Sequence, residues 1–145
     1  MALGSTTALT LVVLVFFSLL ASGALVTSTT VSASGVITTE NLGVYSDSAC
    51  TQKITSINWG NIPPSTSLTK TVYIKNTGTT ALTLRLTKTN WSPTTANGPV
   101  ALTWNRESTV LAANQVTTAT LTLSTSSSIS GITTFSMNIV ISGSA

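Results

Sequence analysis

A chain of 145 residues holds one domain with a real core and one further element. Only 6% of it is charged, six Lys+Arg against three Asp+Glu, where an ordinary soluble domain carries roughly a quarter. Lys53, Lys70, Lys75, Arg85, Lys88 and Arg106 are scattered without a run, so the net charge of +3 makes no clustered footprint for nucleic acid. His is absent and Cys50 is the single cysteine. That excludes His/Cys metal clusters, His-activated nucleophiles and an internal disulfide.

From Met1 to Thr39 there is no charged side chain. Within that stretch Ala8–Val26, ALTLVVLVFFSLLASGALV, is almost continuously apolar and close to the ~20 residues that cross a bilayer core. Three readings compete: a secretory signal peptide, a membrane anchor, and a helix buried in a multi-subunit core. A signal peptide expects a basic n-region, and an anchor takes its orientation from flanking Lys/Arg. Neither is present, which favours the buried helix. A helix over about residues 2–33 would span about 45–50 Å. Its core-packing residues would be Leu9, Leu11, Val12, Val13, Leu14, Val15, Phe16, Phe17, Leu19, Leu20, Leu25 and Val26. Together they outweigh the roughly 4–15 kcal/mol entropic cost of association. Gly35 is the expected helix terminator. The division expected is 1–34 hydrophobic helix and 35–145 Ser/Thr-rich β-domain.

Beyond Val36 the pattern is period two. Val72 and Ile74 alternate with Thr71, Tyr73 and Lys75. Leu82, Leu84 and Leu86 alternate with Thr83, Arg85 and Thr87. Ala119–Ser124 and Phe135–Ser142 repeat the pattern, and shorter candidates lie near 43–47, 53–59 and 100–104. One apolar and one hydroxylic face per strand suits a sandwich. Ser and Thr make up about a third of the chain and take the solubilising role that charges usually fill. Asn76-Thr-Gly78 predicts a tight hairpin. Asn61–Ser65 breaks a strand at Pro63 and Pro64, and Asn97-Gly-Pro99 and Ser130-Gly131 mark further turns. Six to eight short strands predict an immunoglobulin-like antiparallel sandwich. The fold class expected is therefore α+β: a long hydrophobic helix, then that sandwich.

Candidate sites are few. Glu40, Asp47 and Glu107 are the only acidic side chains, and they lie far apart and outside any motif, so acid/base catalysis is not expected. No cofactor is implied. Trp59, Trp91, Trp104, Tyr45 and Tyr73 read as core and edge packing rather than a sugar platform, and Cys50 as a small buried hydrophobe. Asn90-Trp-Ser92 is an N-glycosylation acceptor triplet, and the Ser/Thr density offers O-glycosylation as a second modification.

An uncharged apolar N-terminal helix followed by a Thr/Ser-rich β-domain resembles an archaeal type IV pilin. Asn58-Trp-Gly60 and Asn90-Trp-Ser-Pro93 also resemble a β-domain of surface proteins from thermophilic archaea. The resemblance implies an extracellular, cell-surface filament: a helical homopolymer whose subunits wait in the membrane before assembly, and whose sheath adheres to cell or abiotic surfaces. It also implies that a basic leader has been removed before Met1. Related surface filaments lose the N-terminal segment and link subunits by strand exchange, and that is the alternative. A surface-binding module on a membrane anchor is a third.

Overall fold

A computed structural model describes residues 31–39 and 41–145. The helix expected over the first third, with its packing residues Leu9 to Val26, lies outside the described residues except at its end. There the expectation fails. Val31–Thr39 is a strand (β1), so residues 31–33 do not close a helix and Gly35 terminates none. The division at 34/35 falls inside that strand. The cause is local: Ala33, Gly35 and Ile37 turn inward while Ser34 and Val36 face solvent, a period of two that a helix cannot present on one face.

The remaining strands are β2 Leu42–Tyr45, β3 Ser56–Ile62, β4 Ser67–Asn76, β5 Leu82–Ser92, β6 Val100–Trp104, β7 Val110–Leu111, β8 Val116–Thr125 and β9 Thr134–Ser144. The sole helical element among the described residues is a 3-10 turn at Thr94–Ala96. The class of the described chain is thus all-β, not α+β. Two sheets run in the orders β3-β1-β9-β5-β7 and β2-β4-β8-β6. They enclose one core, to which β9 gives Phe135, Met137, Ile139 and Ile141, and β8 gives Ala119, Leu121 and Leu123. Each of these is spaced two apart, so one strand face is buried and the hydroxyls face out.

Three further expectations are corrected. The sheets are not wholly antiparallel, because β1 runs parallel to β9, from Ser32 opposite Thr134 to Thr39 opposite Ile141. Asn76-Thr-Gly78 is not a hairpin, since β4 and β5 belong to different sheets. It is a corner, pinned by the fully buried Asn76 side chain. Its Nδ2 donates to Thr80 O (2.7 Å) and Leu111 O (3.0 Å), and its Oδ1 accepts from Gly78 N (2.9 Å). A buried amide with those partners fixes where the chain changes sheets. Cys50 is partly exposed rather than buried, and sits at φ 55° in the turn between Asp47 and Gln52.

Candidate functional site: the slot between β3 and β9

β1 lies between two strands that do not pair with each other. Its other neighbour, β3, runs antiparallel from Val31 opposite Ile62 to Val36 opposite Ser56. Remove β1 and the backbone edges of both β3 and β9 are left unpaired, a groove one strand wide. Unpaired sheet edges are templates for another extended segment.

The walls of this slot are shaped by local sequence. Opposite Ala33 and Ser34 the register of β3 shifts, so that Trp59 is an extra residue. Gly60 there adopts φ 72°, and Asn58 Oδ1 accepts from Gly60 N at 2.8 Å. This is a glycine bulge. It explains the Asn-Trp-Gly triplet: the amide holds the turn, the glycine tolerates it, and the indole is driven into the core. Trp59 is buried, and its Nε1 has no hydrogen-bond partner among the described residues. The apolar area of the ring therefore outweighs a penalty of about 1–3 kcal/mol for that orphan donor.

On the β9 side the fit is steric. A Cβ on Gly35 would stand 2.7 Å from Ile139 Cδ1 and 3.2 Å from its Cγ1. Glycine at this position lets Ile139 cross beneath β1. Ile37 is the one large apolar anchor of β1 among its described side chains, 7% exposed, and its N–H donates to Thr55 O at 2.7 Å. Burying it contributes roughly 1.5–3 kcal/mol. Backbone bonds on two sides, each worth about 0.5–1.5 kcal/mol net, must supply most of the rest. Among its described side chains β1 therefore adds little to the core beyond Ala33 and Ile37.

Only Glu40 and Asn41 separate β1 from β2. Asn41 sits at φ 54°, a conformation Asn tolerates, and its carbonyl accepts from Thr77 N at 3.1 Å. The far end of the link is thus tied to the Asn76 corner, in the other sheet from β1. The partner Thr134 lies about a hundred residues beyond Ser32, so β1–β9 pairing carries one of the largest loop-closure costs in the domain.

The other polar groups are settled locally. Asp47 accepts from Thr51 N, Thr51 Oγ1 and Gln52 N, and the Gln52 bond above all holds its carboxyl below the usual aspartate range. Glu107 Oε2 accepts from Trp104 Nε1 (2.7 Å) and Leu86 N (3.1 Å). The indole bond, then the amide, lower its pKa. Lys88 Nζ donates to Leu102 O across the mouth of the sandwich. A depression of about 220 Å³ lies there, lined by Leu86, Lys88, Leu102 and Trp104 among others. Among the described residues, no group of three His, Cys, Asp or Glu is placed to hold a metal ion, and no helix is long and apolar enough to cross a membrane.

Of the residues singled out from the sequence, Asn90 is exposed, at φ 52° in β5. Trp91 and Trp104 are partly buried against the core. Trp91 packs on Phe135, ring centroids 6.1 Å apart. The slot itself was missed. Its signal was present in the alternation Ala33, Gly35, Ile37, masked by the apolar run just upstream. Neither a scan against protein-family models nor a search of the curated proteins found a match for this chain.

Proposed function

We propose that this chain is a structural subunit of an extracellular filament, and that β1 is the segment one copy passes to the next. The observation that carries the reading is the position of β1: the first described strand, filling the slot between β3 and β9 and joined to β2 by two residues. The β1 of a neighbouring copy offers the same backbone groups and the same Ala33-Gly35-Ile37 face. Exchange therefore costs no contact within the slot. Short hinges favour such swapping. Where each copy gives β1 to one neighbour and receives it from another, the contact is heterologous, and a rotation that does not close a ring generates a fibre. Strand addition of this kind binds through main-chain hydrogen bonds, with pockets for alternate side chains giving register. The charge-poor, hydroxylic outer faces suit a sheath meeting solvent and surfaces. The domain works by binding and stacking, not by catalysis.

Disulfide trapping tests it. Val36 and Asn138 are register partners on the outer face of β1 and β9. In a Cys50→Ser background, Val36→Cys with Asn138→Cys is expected to give a covalent ladder on non-reducing gels of filaments. Crosslinked monomers alone, from intact filaments, would refute exchange.

The apolar run Ala8–Val26 favours a second reading, a type IV pilus whose subunits bury that run in the filament core, membrane-inserted before assembly and serving adhesion. N-terminal sequencing of filament subunits separates the two. A mature start after about Ala24 leaves no material for such a core, and a retained run supports it.

A further inference from the structure

We infer that Asn90 carries an N-linked glycan and that this glycan shields the outer edge of β5 beyond the reach of β7, the edge opposite β9. This rests on β5 alone and not on strand exchange.

The ladder between β5 and β9 is broken where the triplet lies. Thr89 opposes Asn138 and Ser92 opposes Ser136, so Asn90 and Trp91 stand against Met137 alone. Two residues against one is a bulge, which turns the strand and frees a side chain from the sheet. Trp91 spends its side chain on the core, packed against Phe135. Asn90, at positive φ, and Ser92 are both exposed. The acceptor amide and the hydroxyl two residues on are thus presented together in the folded chain, outside the packed part of the strand.

The same strand has an open edge. β7 pairs only with Leu82 and Thr83. Leu84 then exchanges bonds with Thr109 and Ser108, and Leu86 N–H is taken by Glu107. In an antiparallel ladder alternate residues turn their backbone groups to the same side, so the amide and carbonyl of Lys88 face that side too. No described residue pairs with them. Open edges invite pairing with other chains, and bulges, charged side chains and coverings blunt them. Lys88 supplies the charge and the Thr89–Ser92 bulge the twist. A bulky, solvated oligosaccharide at Asn90, at the end of the open run, supplies the covering. It stands two strands away from β1, which leaves the β3–β9 slot clear.

The chemistry is a glycosyl transfer from an oligosaccharide linked to a lipid phosphate. Asn90 Nδ2 forms a bond to C1 of the reducing-end sugar. The C1–O bond to the phosphate breaks, its electron pair leaves with the lipid phosphate, and the amide nitrogen loses one proton. Ser92 supplies the hydroxyl by which the transferring enzyme recognises the triplet.

The test uses the full chain recovered from the cells that make it. Intact mass above that of the bare polypeptide, with a sugar adduct mapped to the peptide bearing Asn90, is expected. Asn90→Gln and Ser92→Ala must each abolish that adduct, and Ser92→Thr must keep it. Ser92→Ala leaves the backbone at Asn90 untouched, so it remains decisive should Asn90→Gln fold poorly. Light scattering is expected to show greater self-association of Ser92→Ala than of Ser92→Thr at equal concentration. An unmodified Asn90 peptide in native material overturns the site. An adduct whose loss leaves self-association unchanged overturns the shielding role.

Discussion

Replacing Gly35 tests how tightly the slot sets the register of β1. The residue lies in a regular strand and not at positive φ, so a side chain there meets no backbone strain. It meets Ile139, whose Cδ1 would lie 2.7 Å from an added Cβ and whose Cγ1 would lie 3.2 Å away. For alanine the offending atom is the far end of a flexible side chain. A rotamer change in Ile139 relieves it at about 0.5–1.5 kcal/mol, and the loss of glycine entropy returns about 0.4–1 kcal/mol. Gly35→Ala is therefore close to neutral. Valine adds two branched carbons over a side chain that is itself fully buried. Overpacking of that kind costs about 1–3 kcal/mol, enough to lower a urea midpoint by about 1 M. The damage is local first. In hydrogen exchange of the full chain, β1 amides of Gly35→Val should lose protection while those of β4 and β8 keep theirs. Filament formation should fall in the same order, wild type and alanine well above valine. A valine variant with an unchanged midpoint and a protected β1 would show that Gly35 does not key the strand, and the account of the slot would be wrong.

Asn76→Ala leaves Thr80 O, Leu111 O and Gly78 N without their side-chain partner. At about 1–3 kcal/mol for a buried group so orphaned, a loss of at least about 2 kcal/mol in equilibrium unfolding is expected. Asn76→Asp should be worse at neutral pH and recover toward acid as its buried carboxylate protonates. Glu107 should titrate by NMR below the ordinary glutamate range, and Trp104→Phe should raise it toward that range, because the indole bond is the largest cause of the lowering. A depressed carboxylate stabilises the fold above its unfolded pKa, and that contribution is lost as pH falls through the folded pKa. Stability should therefore decline only in acid, over the window bounded by those two values, and a decline beginning near neutrality would contradict the assignment.

Much of the β-domain was legible because its signal is local. Val72 and Ile74, Leu82 and Leu84, and the runs in β8 and β9 alternate so cleanly that burying one face of each was the only physical outcome. The exclusion of clustered basic, His-dependent and internal-disulfide chemistry needed no structure at all, since His is absent, the cysteine is single and the six Lys+Arg are scattered. Tertiary structure decided what depends on partners distant in the chain. Asn76-Thr-Gly78 has the residues of a tight turn, but a hairpin requires the next strand to pair with the last, and Asn76 found Leu111 instead. Val31–Thr39 borders an apolar run that pulls the eye toward helix. Two open edges, β3 and β9, offered its backbone a row of bonds on each side, and only the folded domain brings those edges to one strand's width. The orientation of β1, parallel to a segment about a hundred residues away, is set by that geometry and by the space Gly35 leaves for Ile139, neither of which any stretch of sequence carries alone.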